Sequence, residues 1–388
     1  MDELELDSDL APAGPRRRIA DAERVRAAHW AFVTRRVSRD QEFRVSRRPL
    51  APRAGDLVLA RIGKPGLHRG LQLPGGRTRS LGAGDEIVVA YGDCNATGQF
   101  EAVVPETVGA CHLVAAGGVA AQVLSWNTRI GRAPTLIAPI GFLIDAGGER
   151  VKLADFALEP AVPPAATLPV TIAVVGTSVA AGKTVAAAAL AHGLGQAGLR
   201  VGYAKVNGTS DANDTWLLRD AGAAAALDFT DAGHASTCRV SAAELERSLG
   251  VLVAHLVRAD ADVIVLELAD GIRQPETAAL LESALLKSIT GAVFLAARDA
   301  MGAAAGVGWL KKRGLPVAGI GGVLTRAPLG RSEAATATGL AIYRREDLAR
   351  PKVARTLLAG IRKFRMISGG NDARPDSAGH GREITAGA

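Results

Sequence analysis

Val170-Thr171-Ile172-Ala173-Val174-Val175, followed directly by Gly176-Thr177-Ser178-Val179-Ala180-Ala181-Gly182-Lys183-Thr184, is the stretch whose reading decides the fold. An apolar run ends in a glycine-bounded loop, and an alanine-rich, helix-forming run begins at once. Such a loop can turn its backbone N–H groups toward phosphate oxygens, while the positive end of the next helix faces the same anion. Lys183 then reaches β- and γ-phosphates, and the Thr184 hydroxyl supplies a Mg2+ ligand. All nine positions from Gly176 to Thr184 are therefore candidates for holding a phosphate-bearing cofactor. The loop is one residue longer than the common Gly-x4-Gly-Lys-Ser/Thr spacing, because Thr177 to Ala181 separate its two glycines. A dinucleotide loop suits it less well, since Gly-x-Gly-x-x-Gly is absent.

Outward from the loop, the apolar runs Val170 to Val175, Val201 to Ala204, Val263 to Leu266, Ala292 to Leu295 and Val317 to Gly321 alternate with helical stretches. Those stretches lie around Thr184 to Leu194, Ala242 to Val257, Pro275 to Leu286 and Met301 to Lys312, with a closing helix from Lys352 to Phe364. The alternation predicts an α/β fold, a mainly parallel sheet of the P-loop NTPase-like kind covered on both faces, over residues 168–368. Ahead of it the rhythm differs. Leu57 to Ile62, Glu86 to Ala90, His112 to Ala115 and Thr135 to Ala138 are short apolar runs between Gly/Pro turns, which predict a smaller β-rich domain over residues 51–158. A Pro/Ala-rich linker covers 159–167. Residues 1–50 read as a flexible basic arm with a short helix over Ala22 to Val37, and 369–388 as a flexible tail.

The 388 residues are 48% hydrophobic and 4% aromatic, which excludes both wholesale disorder and a module too small to bury a core. The 46 Lys plus Arg exceed the 39 Asp plus Glu by a net charge of +7, and much of the surplus lies between Arg16 and Arg53. Because no complete nucleic-acid module follows those arginines, nucleic acid is not an expected partner. The acidic opening Met1-Asp2-Glu3 argues against a secretory signal and for a cytoplasmic location. The uncharged interval from Thr107 to Thr128 contains His112, Gln122, Ser125, Asn127 and several glycines, so no membrane partner is expected. Cys94, Cys111 and Cys238 are odd in number and lack Cys-x-x-Cys spacing, which disfavours a disulfide framework and a structural zinc site alike.

Acidic residues near the loop are the next candidates. Val263-Ile264-Val265-Leu266 delivers Glu267 and then Asp270 to the carboxyl end of a strand, where an open α/β sheet gathers its ligand groups. Glu267 is read as a metal- or water-positioning carboxylate, with a structural hydrogen bond as the alternative. Asp270 is read as a substrate contact. Asp211 and Asp214 have two open readings: one holds Mg2+, Asp211 being the candidate, while the pair positions substrate; or both cap a helix beginning near Thr215. Asp228, Thr230, Asp231, His234, Ser236, Thr237 and Cys238 form a polar connection, in which a loop or buried-thiol role for Cys238 is preferred to a Cys238–His234 nucleophile. Arg326 follows a strand and is either a nucleotide contact or a surface charge. His112 opens an apolar strand and is read as structural.

The lengthened loop together with Gly202-Tyr203-Ala204-Lys205 resembles dethiobiotin synthetase and related P-loop proteins over about Leu168 to Thr325. That resemblance implies that Lys183, Thr184 and Lys205 cradle phosphates while a substrate carboxylate or carbamate attacks the γ-phosphate. Leu268-Ala269-Asp270 departs from that family's glycine-rich continuation, so its substrate contacts do not transfer. Over both domains the chain also resembles a poorly characterised bacterial P-loop family with an N-terminal β-rich domain, on the long loop and on the polar stretch Gly208 to Trp216. The expectation is an ATP- and Mg2+-dependent ligase or kinase-like enzyme that activates a small carboxylate-bearing metabolite, with Lys183, Lys205 and Glu267 as catalytic groups. Two alternatives stand beside it. One is an acetyl-coenzyme A-dependent N-acetyltransferase acting on an acidic amino acid, which one branch of the second family implies; the other is a nucleotide-dependent regulatory or assembly protein. Covering the phosphate site, binding a second substrate and forming a homodimer all stay open as roles of the first domain.

Overall fold

In this computed structural model, residues 21–96, 98–162 and 168–369 are described. Residues 1–20, 163–167 and 370–388 lie outside them, so the reading of a C-terminal tail falls almost wholly on undescribed residues, whereas residues 21–50 of the expected arm are described and form a helix and two short strands packed into the core of the β-rich unit.

Helix α1 (Asp21–Ala27) leads into β1 (His29–Trp30), β2 (Arg44–Ser46), β3 (Leu57–Ile62), β4 (Gly70–Gln72), β5 (Thr78–Ser80), β6 (Glu86–Tyr91), β7 (Cys94–Asn95), β8 (Phe100–Val103), β9 (Cys111–Ala115), β10 (Val119–Trp126) and β11 (Thr135–Ile144). Leu57 to Ala60 and Ile87 to Tyr91 are buried without alternation. The strand pairings explain this: β6 pairs β3, β3 pairs β11, β11 pairs β9, β9 pairs β10, and β10 returns to β6, closing a ring. Val25, Trp30, Phe43 and Val45 join the same buried cluster from outside the ring. The helix expected over Ala22 to Val37 stops at Ala27, because His29 and Trp30 pair with Ile87 and Val88 at the edge of β6. The Trp30 indole N–H donates to the Val25 carbonyl at 3.0 Å and secures the bend.

The second sheet is built from β12 (Val170–Gly176), β13 (Val201–Lys205), β14 (Ala225–Asp228), β15 (Val263–Glu267), β16 (Thr290–Ala296) and β17 (Val317–Gly321). Between and after them run α2 (Lys183–Gln196), α3 (Ala212–Asp220), α4 (Ala242–Arg258), α5 (Pro275–Glu282), α6 (Ala284–Ile289), α7 (Ala300–Lys311), α8 (Pro328–Thr338), α9 (Arg345–Leu348) and α10 (Pro351–Gly369). Every pairing is parallel, in the order β14-β13-β15-β12-β16-β17. Two separate apolar clusters cover its faces. Leu249, Leu252, Leu256, Leu280 and Val307 belong to one, and Ala187, Leu190, Leu194, Leu357 and Ile361 to the other. Small residues let α2 approach its neighbours closely: a Cβ on Gly193 would lie 2.2 Å from the Leu348 carbonyl oxygen.

Local chemistry sets the element ends. The Ser241 hydroxyl accepts from the Glu244 N–H to cap α4, and the Asp299 carboxylate accepts from the Gly302 N–H to cap α7. The single helix expected over Pro275 to Leu286 is two helices, because Ser283 takes extended backbone and caps α6 by accepting from Leu286 N–H at 3.0 Å. Strand β14 is not legible in Ala225-Ala226-Leu227-Asp228, whose alanines favour helix; its pairing with β13 overrides that propensity.

The two sheets meet along a polar seam. Arg35 donates to Asp228 at 2.8 Å, to Asp231 at 2.6 Å and to the Thr230 hydroxyl, and both carboxylates are buried. Burial opposes the Asp228 charge, but Arg35 outweighs it and holds this carboxyl below the usual range, whereas burial pushes Asp231 up. Replacing Arg35 by Met leaves buried carboxylates uncompensated, and should cost about 3 kcal/mol in urea unfolding at neutral pH. Because the Asp228 contribution in the wild type is lost as pH falls through its lowered pKa, the gap between variant and wild type should close below about pH 4.

Candidate functional site

The loop after β12 is shaped by steric necessity. A Cβ on Gly176 would lie 2.9 Å from the Lys183 side chain, so that position admits the lysine only as glycine. Gly182 takes a φ of +98° at the start of α2, and Ala180, a non-glycine residue, takes +56°. The backbone thus folds over the end of β12 and sends Lys183 back along the loop. Its ammonium donates to the Ser178 carbonyl at 3.1 Å and the Asp270 carbonyl at 2.6 Å. Burial pushes the Lys183 pKa down, with the Glu267 and Asp270 carboxyls opposing it.

Glu267 lies in the middle of the constellation. Its neighbours in register are Val174 on β12 and Lys205 on β13, and it is 2% exposed. The Thr184 hydroxyl donates to Oε1 at 2.8 Å and the Tyr203 hydroxyl to Oε2 at 2.9 Å. Burial raises its pKa, the Asp214 charge adds to the rise, and both lysines oppose it. Lys205 pairs with Asp214 and stands over the Phe229 ring at 5.9 Å. Burial disfavours the Lys205 ammonium, yet Asp214 and Glu267 outweigh it and raise its pKa.

The remaining candidates are distributed unequally. Asp211 caps α3, which starts at Ala212 and not near Thr215, and its Oδ1 accepts from Asn213 N–H at 2.9 Å and from the Gln72 amide at 2.6 Å. Its carboxylate therefore faces the seam with the β-rich unit. Asp270 has a left-handed φ of +59° and offers its backbone carbonyl to Lys183, while burial pushes its carboxyl up. Arg326 stands apart, beyond β17, on a cavity of about 520 Å³ that Gly182 also lines.

The polar connection resolves into structural bonds. His234 Nε2 bonds the Ser248 hydroxyl at 2.9 Å, Asp228 and Asp231 hold Arg35, and Gly208 N–H donates to the Thr237 hydroxyl at 2.8 Å. Burial pushes the Cys238 thiol up to about 12. His112 accepts through Nδ1 from Val123 N–H at 3.3 Å, as a structural histidine does. Sequence reasoning missed Tyr203, whose hydroxyl meets Glu267 inside the quoted Gly202 to Lys205 stretch, and Asn207, which donates to the Thr277 hydroxyl and accepts from Ala269 N–H. It also missed Arg35 and Gln72, remote residues for which no local pattern gives a signal.

No family model and no curated protein matches the chain. Among solved structures, the chain is similar to the signal recognition particle 54 kDa protein of Aeropyrum pernix K1 in complex with GDP, at 22% identity over 57% of this chain and 54% of that one, TM-score 0.33. It is also similar to the cell division protein FtsY of Thermotoga maritima, at 20% identity over 53% and 73%, TM-score 0.35. The signal recognition particle receptor FtsY of Elizabethkingia anophelis in complex with GDP gives 18% over 48% and 52%, TM-score 0.27. The chain spans about half the length of the first of these. The fold is of the α/β P-loop NTPase-like kind.

These comparisons correct the family resemblance that the loop suggested. They return signal recognition proteins in place of dethiobiotin synthetase, and neither resemblance read from the sequence is retained. With them fall the ATP-dependent ligase or kinase-like enzyme, its carboxylate-bearing metabolite and the assignment of ATP; two of these structures hold GDP. The exclusion of membrane and nucleic-acid partners is withdrawn on the same finding. Among the described residues no helix is long and apolar enough to cross a membrane.

The raised thiol pKa of Cys238 has a direct consequence. Native protein treated with iodoacetamide at about pH 8 should modify Cys238 roughly a hundredfold more slowly than free cysteine, since the thiolate is the reacting form. Reaction at the rate of free cysteine would restore the nucleophile reading.

Proposed function

We propose that the chain is a nucleotide-operated regulatory protein, in which a Mg2+–nucleoside triphosphate held on residues 176–184 alters the contact between a P-loop unit, residues 168–368, and a β-rich unit, residues 51–158. One observation carries this reading. Both segments that flank Lys205 in space are held from the β-rich side of the molecule: Gln72 of the β-rich unit donates to Asp211 and accepts from the Ala212 N–H at 2.8 Å, and Arg35, in the preceding segment that packs into the same core, bridges Asp228 and Asp231. A change in the charge around Lys205 is thereby felt across the seam.

Lys183 and Lys205 are the cations of the site, and each is buried enough for its charge to act at low effective dielectric. Leaving the Ser178 and Asp270 carbonyls, Lys183 would donate to phosphate oxygens instead. Thr184 and Glu267 offer the hard oxygen donors that suit Mg2+, a metal that takes few protein ligands and completes its shell with phosphate and water. When bound, that ion offsets charge between the β- and γ-phosphates. Tyr203 positions the Glu267 carboxylate, and Asp214 positions Lys205.

Calorimetry with GTP, GDP, ATP and ADP, each with and without Mg2+, tests the binding and assigns the base. Lys183→Ala should weaken binding by about 10- to 100-fold, as loss of a charge-assisted hydrogen bond implies. Thr184→Ala should remove the Mg2+ dependence while nucleotide still binds. Hydrogen exchange tests the coupling. Nucleotide should slow exchange at both 206–216 and 70–80 in the wild type, and Gln72→Ala should abolish the second effect alone. Absence of nucleotide binding by the wild type overturns the proposal, and protection confined to the loop overturns its regulatory part.

A further inference from the structure

Beside the loop lies a cavity of about 520 Å³ whose charge exceeds what a nucleoside requires. Gly182, Val185 and Ala186 form one wall. These residues belong to the start of α2 or abut it, so a ligand whose phosphates lie on residues 176–184 has this cavity within about one helical turn, roughly 5.4 Å. The facing wall comes from the turn after β17 and from Tyr343, Arg344 and Arg345. That second segment is pinned to the sheet edge: Ile320 N–H donates to the Ala341 carbonyl at 3.0 Å, and Tyr343 N–H donates to the Ile320 carbonyl at 2.7 Å. Glycine makes the approach feasible, since a Cβ on Gly319 would lie 2.5 Å from the Tyr343 ring.

Arg326, Arg331, Arg344 and Arg345 line the cavity, against Glu346 as the acidic residue among its lining. Arg344 is neutralised by Asp347, with contacts of 3.0 and 2.9 Å. The other three have no such two-point carboxylate contact. Arg331 donates to the Thr325 carbonyl at 3.0 Å, Arg345 stands 3.6 Å from Glu346 on an exposed surface, and Arg326 has no hydrogen-bond or ion-pair partner among the described residues. A base and a ribose are uncharged and give such guanidinium groups nothing to neutralise. A phosphate does, and its oxygens match the guanidinium fork.

We propose that this cavity is a subsite for a phosphate carried on the ribose, so that the ligand is a nucleotide phosphorylated at its 2′ or 3′ position as well as at its 5′ position. The inference rests on the nucleotide reading of the loop. It also defines the arginines as a specificity element: the loop binds the 5′-phosphates, and the arginines select ribose-phosphorylated nucleotides over plain ones.

The test is titration calorimetry of the full chain with matched pairs: GDP against guanosine 5′-diphosphate 3′-diphosphate, and ADP against 3′-phosphoadenosine 5′-diphosphate, with 2′-phosphoadenosine 5′-diphosphate as the positional isomer. At least one ribose-phosphorylated ligand should bind about tenfold more tightly than its plain partner, the increment of a single charge-assisted contact. Replacing both Arg331 and Arg345 by Ala should bring the pair within about twofold of each other, and Arg345→Glu should invert the preference. Equal unfolding midpoints in urea guard against a folding defect. Plain nucleotides binding as tightly as every ribose-phosphorylated partner overturns the subsite and leaves the loop reading intact. Failure of all these ligands to bind overturns both.

Discussion

A carboxylate buried beside two lysines governs this structure. Glu267 at the end of β15 is almost without solvent, and burial alone would drive it to its neutral form. It is kept within a set of compensating contacts: the Thr184 hydroxyl from the loop, the Tyr203 hydroxyl from β13, and the charges of Lys183 and Lys205. Lys183 and Thr184 stand at the start of α2, and Tyr203 and Lys205 stand on β13. The arrangement exists only if β12, β13 and β15 lie side by side and in register, so the electrostatics of the site and the order of the sheet are one constraint.

The same constraint reaches the first unit. Lys205 needs Asp214, Asp214 is carried on α3, and the first turn of α3 is held by Asp211 and by Gln72 from the β-rich unit. On the other side, β14 pairs with β13 through Lys205 and Asp228, and Asp228 binds Arg35. A chain of charge-assisted bonds therefore runs from the phosphate loop to residues more than a hundred positions earlier. Buried ion pairs contribute less to stability than their distances suggest, because desolvation opposes them. Their effect here is geometric: they set where the segments around Lys205 stand.

Much of the sheet was legible because its strands are continuous apolar runs, the pattern of strands buried on both faces. The loop was legible for a related reason: glycine at 176 and 182 and a lysine and threonine directly after form a local pattern. Elements of weak local signal were not. Strand β14 is written in alanine, and the short helix α1 ends where an edge strand captures the chain. Glu267 could be proposed from its position after an apolar strand, but the two hydroxyls that meet it could not. Asp211 and Asp214, three residues apart, looked equivalent; one caps a helix and faces the first unit, and the other pairs with Lys205.

By itself, the sequence determined that a glycine-bounded loop joins a buried strand to a helix, that parallel α/β architecture follows, and that a β-rich region precedes it. Those features are local, written in periodicity and in the φ angles only glycine readily adopts. Tertiary structure alone decided which acids face which bases, that Arg35 and Gln72 reach the phosphate-loop sheet, and that arginines from the turn after β17, from α8 and from the segment after α8 line one cavity. Such pairings join residues far apart in the chain, and a buried charge finds its partner only once the strands have placed both in the same low-dielectric space.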